Sequence, residues 1–317
     1  MHPDPLFTVF GQGVYLYGIC FALGVIACFA FLIFTMWYKN FSETSSSAIL
    51  FIGIFATAFG ALSGMVVQGI YDVIDGKDFS LSGMTFIGGL IGGVVSFLAV
   101  WNLYMFVIRP RTKIKWLNGA MNATLCDALP FIPIGIAIAH ALGRFGCFWA
   151  GCCYGKPAEW GIACAHGYNG DLKMNMDGVK VIPTQLFEMS FLIVLAAVMA
   201  FLYFRYKFNY NFAVYSVAYG IFRFTIEFFR ADYRGKFIGS VTPSQFWGIV
   251  MVLIGVAYVF AQYYLFSKFM KNPESRKLFA KATAAETSAE GSEDVEETGS
   301  DYDVEQVKKE TDKKENE

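Results

Sequence analysis

The chain has 317 residues, is 56% hydrophobic and 16% charged, and carries a formal net charge of −1. Soluble domains carry about 25% charged residues, so this composition excludes an ordinary water-facing shell. No basic patch interleaved with aromatics is present, which excludes nucleic acid as an expected partner.

Ahead of the first apolar run stand His2, Asp4 and Pro5, with no positively charged n-region and no small-residue cleavage pattern. A retained span is expected there, not a signal peptide. A helix crosses a bilayer with roughly 20 mostly apolar residues, and about seven stretches meet that requirement. They are expected near 14–37, 48–70, 84–108, 119–139, 184–204, 212–230 and 243–266. The fourth carries Pro130 and Pro133, which are expected to break it. Neighbouring helices or water must then satisfy the backbone groups that proline frees. The fold class this predicts is all-α, a polytopic membrane helical bundle. No repeat of 20–50 residues is visible.

Cations cluster after alternate spans. Lys39 follows the first, Arg109, Arg111, Lys113 and Lys115 the third, Arg205 and Lys207 the fifth, and Lys268, Lys271, Arg276, Lys277 and Lys281 the seventh. The positive-inside rule makes that side cytoplasmic. The N-terminus is then outside, the C-terminus cytoplasmic, and the loops 71–83 and 140–183 face outward. Lys156, Lys173, Lys180, Arg234 and Lys236 also fall outside, so the bias is clear but not absolute. From Pro273 the composition turns to Ala, Thr, Glu, Ser and Lys without periodic apolar residues. Such a segment buries too little apolar area to offset ordering. The expected division is a membrane domain over 1–270 and a disordered, charged cytoplasmic tail over 271–317.

An ionisable residue at membrane depth is costly and marks a functional site by default. Three segments qualify for attention. In His140-Ala-Leu-Gly-Arg144 the two polar residues are four apart and share a helix face. Arg144 then leads into a glycine-rich stretch ending at Gly155, where the glycines permit turns. A planar guanidinium matches phosphate oxygens, so a phosphate site is expected; headgroup snorkelling is the bland alternative. In the second segment Arg223, Glu227 and Arg230 recur at i, i+4 and i+7, again one face. Two cations with one carboxylate suit a substrate phosphate; a salt-bridged helix pinning the bundle is the alternative. The third, Gly88-Gly89 with Gly92-Gly93, reads first as close helix packing. Gln185 and Glu188 open the fifth span, where Glu188 is placed to orient an arginine or a water. Tyr17 begins the first span and by itself reads as an interfacial aromatic.

Seven cysteines is an odd number, so a complete set of intrachain disulfides is impossible. Cys20, Cys28 and Cys126 lie in apolar segments and read as packing residues. Cys147, Cys152, Cys153 and Cys164, with His166, leave three readings open: loop packing or a disulfide, zinc, and a covalent lipid intermediate. Their spacing matches no standard zinc motif. A site without metal or other cofactor is therefore expected.

Taken together in order, these segments resemble the phosphatidylglycerol–prolipoprotein diacylglyceryl transferases over about residues 10–266. Tyr17-Gly18 resembles the family's first-span Tyr-Gly. Phe86-Ile87-Gly88-Gly89-Leu90-Ile91-Gly92 resembles Phe-His-Gly-Gly-Leu-Ile-Gly. Gly143-Arg144-Phe145-Gly146 through Gly155 resembles Gly-Arg-Ile-Gly-Asn-Phe-x-Asn-Gly-Glu-x-x-Gly. Pro183-Thr-Gln185-Leu-Phe-Glu188 resembles Pro-Ser-Gln-Leu-Tyr-Glu, and Tyr219-Gly220 through Arg230 resembles Tyr-Gly-x-x-Arg-Phe-x-x-Glu-Phe-x-Arg. The family's histidine is Ile87 here, its asparagines are Cys147 and Ala150, and its glutamate is Cys152.

The resemblance implies transfer of a diacylglyceryl group from phosphatidylglycerol to the lipobox cysteine thiol of a prolipoprotein signal peptide. A thioether forms and glycerol phosphate leaves. It also implies a multi-pass enzyme of the bacterial cytoplasmic (inner) membrane with membrane lipid around it. Arg144 and Arg223 would stabilise the phosphate, and Tyr17 would join the catalytic set. His140 is the candidate for the base that Ile87 cannot supply; the alternatives are a histidine hydrogen-bonded to backbone at the helix end, and no base at all because the arginines alone favour the thiolate. Arg144, Arg223, Glu227, Arg230, Gly88, Gly89, Gln185, Glu188 and Gly155 would line the substrate site. The alternatives are a non-catalytic paralogue that binds anionic phospholipid and a small-solute transporter.

Overall fold

The computed structural model describes residues 4–9, 12–74, 76, 78–81, 85–112, 114, 119–164, 168–169, 174–231 and 241–271. Met84, Lys113, Lys115, His166, Lys173, Asp232, Arg234, Lys236 and the expected tail from 272 onward lie outside them. The chain divides into two compact units, Met1–Val259 and Phe260–Glu317. Of the second unit only the closing turns of the last helix are described.

Seven helices among the described residues are long and apolar enough to cross a membrane. They are α1 (Leu16–Tyr38), α2 (Glu43–Ile74), α3 (Phe86–Leu103), α4 (Ile132–Trp149), α5 (Thr184–Tyr206), α6 (Asn211–Ile226) and α7 (Pro243–Lys271). A π-turn at Tyr104–Ile108 extends α3. Large apolar side chains such as Trp37, Phe106, Val194 and Leu253 point outward, as a lipid-facing surface requires. Short hairpins decorate the bundle: β1 (Phe7–Val9) pairs antiparallel with β2 (Gln12–Val14). In the segment between α4 and α5, β3 (Pro157–Ala163) pairs with β6 (Lys180–Val181), and β4 (Tyr168–Asn169) with β5 (Met174–Asn175).

The fourth span differs from its expected position. Pro130 does lie in a break, between a helical turn at Leu125–Ala128 and α4, but Pro133 sits in the first turn of α4, which runs on to Trp149. Proline lacks only an N–H that the first turn leaves unpaired anyway, so it starts a helix more readily than it breaks one. Asn211 Nδ2 donates to the Pro130 carbonyl at 2.9 Å, supplying the partner the prolines make necessary. One consequence is that Gly143 and Gly146 are helical, not turn residues. Gly146 instead admits α1: a β-carbon there would lie 3.2 Å from the Tyr17 ring.

Apolar helices gain little by leaving lipid for one another, so close packing and polar links must hold the bundle. The core joins Leu32 and Met36 of α1, Ile134, Ala137 and Ala141 of α4, Leu192 and Met199 of α5, and Tyr219 of α6. In the α2–α3 pair, a β-carbon on Gly60 would meet the Gly89 carbonyl at 2.9 Å, and one on Gly92 would collide with Ser63. Ser63 Oγ donates to the Gly88 carbonyl at 2.9 Å across the same seam. The α6–α7 pair uses the same device, with Gly220 and Gly248 each facing the other's carbonyl oxygen. That contact brings the first turn of α7 beside the last turn of α6.

Candidate active site

The i,i+4 spacing on α4 does place His140 and Arg144 together: Arg144 Nε lies 3.4 Å from His140 Nε2. Across from them α5 presents Glu188, which is 1% exposed and 3.0 Å from Arg144 Nε. Tyr219 of α6 donates its hydroxyl to the same Glu188 oxygen at 2.7 Å and touches His140 Nε2 at 3.4 Å. The other ring nitrogen of His140 meets the Tyr215 hydroxyl at 3.2 Å. A buried carboxylate is tolerable only when paired and hydrogen-bonded, and Glu188 has both a guanidinium and a phenol. Three helices are thereby locked to one another at a single point.

A second cluster closes the end of α6. The expected continuous helix face over 223–230 ends at Ile226 and continues as the 3₁₀ turn Glu227–Phe229. Arg223, Glu227 and Arg230 still converge: Arg223 Nη1 lies 3.2 Å, and Arg230 Nε 3.7 Å, from Glu227 Oε2. Arg223 Nη1 and Glu227 Oε2 are close but misaligned, so neither makes a hydrogen bond in this arrangement. Arg223 Nη2 donates to Ser244 Oγ at 2.7 Å, and Thr242 Oγ1 to Glu227 Oε1 at 3.1 Å. Thr242 and Gln245 form a reciprocal capping box at the start of α7. Arg223 also acts electrostatically on Glu188 and His140, so the two clusters form one charged network. Among its described members, three guanidiniums face two carboxylates.

The segment after α4 folds back over this network. Gly155 pairs with Arg230 as an isolated antiparallel bridge, and its N–H donates to the Ile182 carbonyl at 2.8 Å. A β-carbon on Gly155 would sit 2.6 Å from the Phe229 carbonyl oxygen, so only glycine fits between the ends of α5 and α6. Thr184 Oγ1 donates to the Cys153 carbonyl at 2.7 Å, and Gln185 Nε2 donates to the Cys152 carbonyl. Gln185 thus positions the loop backbone. Cys147, Cys152 and Cys153 carry sulfur atoms that all lie within 4.8 Å of one another. The Cys152 thiol donates to the Cys147 carbonyl at 3.6 Å, and the neighbouring sulfurs with Arg230 hold the Cys153 thiol below the ordinary thiol range. Cys164 is elsewhere, packed with Met176 and Val181, where burial raises its thiol above that range. Of the donors entertained from the sequence, Cys164 therefore stands apart from the other three cysteines, and His166 lies outside the described residues.

Tyr17 is the second residue of α1 and stands within electrostatic reach of Arg144 and the three clustered cysteines. An apolar cavity of about 650 Å³ runs from Val14 past Tyr17 and Ala22 to Ala150. Gly88 and Gly89 are not brought into the network: their neighbours are Val67 and Gly60 of α2. Ile87 is the second residue of α3, and its side chain lies outside the described residues. Sequence reasoning missed Tyr215, Thr242 and Ser244. One signal was available for the last two. The tripeptides Pro183-Thr184-Gln185 and Pro243-Ser244-Gln245 open α5 and α7 alike, and both helix starts bind the network or the loop over it.

Fold and site together define a class: a seven-helix membrane protein with arginines, carboxylates and tyrosines buried at one end of an otherwise apolar bundle. Residues 5–261 match the family model described as prolipoprotein diacylglyceryl transferase, and the chain belongs to that family. It is 28% identical over 258 residues to the phosphatidylglycerol–prolipoprotein diacylglyceryl transferase of Clostridium tetani, covering 79% of this chain and 94% of that one. The protein of the same name from Finegoldia magna is 30% identical over 262 residues, covering 79% and 92%. A second enzyme of Clostridium perfringens with that name is 26% identical over 265 residues, covering 78% and 91%.

Proposed function

We propose that the protein transfers the diacylglyceryl group of phosphatidylglycerol to a prolipoprotein cysteine in the bacterial inner membrane. The cationic loops support an orientation with the N-terminus outside, the C-terminus and the tail 271–317 in the cytoplasm, and the arginine network toward the outer face of a membrane domain over 1–270. The acceptor sulfur attacks the glycerol carbon, a C–S bond forms, and the C–O bond to phosphate breaks. Glycerol phosphate carries off the electron pair. The observation that carries this reading is the buried meeting of Arg144, Arg223 and Arg230, in which Arg223 Nη1 makes no hydrogen bond. Fixed donors in a water-poor site stabilise charge that develops on a leaving phosphate, and the Arg223 donor is in place for it.

Arg223 and Arg230 share one carboxylate, and Arg223 Nη1 has an unused donor. They are the first contacts for the phosphate, and Arg144 joins by exchanging Glu188 for it. His140, fixed by Tyr215 and Tyr219, takes the thiol proton. Tyr17 and the cavity beside Ala150 admit a long apolar substrate from the lipid side. The test is complementation of a strain depleted of its diacylglyceryl transferase. Growth with the wild type and not with Arg144→Ala or Arg223→Ala is expected. Failure of the wild type, produced at normal levels in the membrane, would overturn the reading.

A further inference from the structure

The three clustered thiols have no part in the reaction as derived so far. Cys147 lies in the last turn of α4, and the chain then doubles back through left-handed residues at Gly151 (φ 67°) and Cys153 (φ 64°). A left-handed cysteine is uncommon and persists only where its surroundings hold it. Here the surroundings are specific. The Cys152 N–H donates to the Cys147 carbonyl at 3.2 Å, and Gln185 and Thr184 grip the Cys152 and Cys153 carbonyls. The outcome is three sulfurs on a braced backbone within 4.8 Å of one another. Tetrahedral zinc, with Zn–S near 2.3 Å, sets its sulfurs about 3.8 Å apart, a closure that thiol rotation alone can make.

We propose that Cys147, Cys152 and Cys153 bind zinc through three sulfurs and leave a fourth position for the acceptor's cysteine thiol. This rests on the transferase reading above and deepens it. Zinc held for structure is closed by four protein ligands, whereas zinc that does chemistry keeps one position open. The next cysteine, Cys164, is committed to the cluster around Met176 and Val181, so among the described residues no fourth ligand joins these three. Three thiolates and one divalent ion leave one negative charge. Arg144 and Arg230 stand next to these sulfurs and offset it, and an Arg230 N–H donates to Cys153. Ligands braced by such outer contacts are what a tuned metal site requires. The apolar cavity is lined by Ala150, which lies in the chain segment between Cys147 and Cys152.

The chemistry matches the need. A thiol alkylates slowly and a thiolate quickly, and a thiol bound to zinc is deprotonated outright. The acceptor S–H gives its proton to His140 as the Zn–S bond forms. That sulfur then bonds to the glycerol carbon while the C–O bond to phosphate breaks and the phosphate takes the electron pair. The product is a neutral thioether, a weak ligand, and it leaves the metal. Sequence spacing hid the site because its geometry depends on a helix end followed by two left-handed residues.

The test uses the full-length protein, reduced, purified in nanodiscs, exposed to zinc chloride and dialysed. About one equivalent of zinc per chain is expected by elemental mass spectrometry. Cys152→Ser and the pair Cys147→Ser/Cys153→Ser should each lose it more than about tenfold, with helicity and elution unchanged. Loaded with cobalt(II) instead, the protein should show a sulfur-to-metal absorption band. A lipobox peptide should shift the cobalt ligand-field bands, and the same peptide with serine for cysteine should not. Retention of less than about a tenth of an equivalent overturns the site, whether alkylation then counts three thiols or a disulfide. Retention that survives the cysteine variants overturns it too, and a cobalt spectrum indifferent to the cysteine peptide overturns the open position. None of these readouts requires lipid transfer, so loss of the zinc site and failure of complementation are separate results.

Discussion

Arg144 and Arg223 look equivalent in the sequence, yet the structure gives them opposite surroundings. Arg144 meets Glu188 at 3.0 Å, one charge for one charge, with Tyr219 completing the carboxylate. Arg223 shares Glu227 with Arg230, and its ion pair is misaligned. The first cluster is satisfied without substrate and joins α4, α5 and α6. The second leaves Arg223 Nη1 and Glu227 Oε2 without a hydrogen bond. A buried arginine is therefore not one kind of evidence: the alignment of its ion pair separates bracing from binding.

This contrast can be broken at either end. The largest effect is expected for Arg144→Ala, which strands Glu188 at full burial and should cost about 3–5 kcal/mol of stability. Adding Glu188→Gln should restore most of the thermal midpoint and little of the transferase activity. If the double variant regains activity, Arg144 serves only to neutralise Glu188. For Arg223→Ala the order reverses. Activity should fall about 10²–10³-fold, the scale for loss of one preorganised donor, with a smaller loss of stability. An equal stability loss in both single variants would erase the distinction. His140→Gln keeps a polar group against Tyr215 and should slow turnover about 10²-fold or more, through kcat and not through KM. Full activity in this variant removes His140 as the base.

Two smaller changes sharpen the second cluster. Gly220→Ala presses a methyl group against the Gly248 carbonyl, 2.6 Å from the ideal β-carbon. Separating α6 from α7 in this way should cost about 1–3 kcal/mol. Ser244→Ala removes one hydrogen bond from Arg223 and leaves the charge, an effect of about 1 kcal/mol. It should appear as a higher KM for phosphatidylglycerol with kcat nearly intact.

The seven spans were legible in the sequence because bilayer thickness imposes a length and lipid imposes an apolar composition. Both are local properties that a window of residues displays. The i,i+4 pairing of His140 with Arg144 was legible for the same reason: helical periodicity alone sets it. The start of α4 was misplaced because proline frees backbone groups both inside a helix and at its first turn. Only the position of partners such as Asn211 tells which applies.

What the sequence could not determine was who neutralises whom. Glu188 lies 44 positions beyond Arg144, and Ser244 lies 21 beyond Arg223. Their meetings depend on which helix faces are turned together, and that is decided by close contacts such as Gly220 with Gly248 and Gly155 between α5 and α6. The thiol cluster is the extreme case, since two backbone angles gather it. Composition and period thus settled that this is a membrane bundle with charge at one end. The tertiary structure alone decided how that charge is shared, because Coulomb energy depends on distance in space and not along the chain.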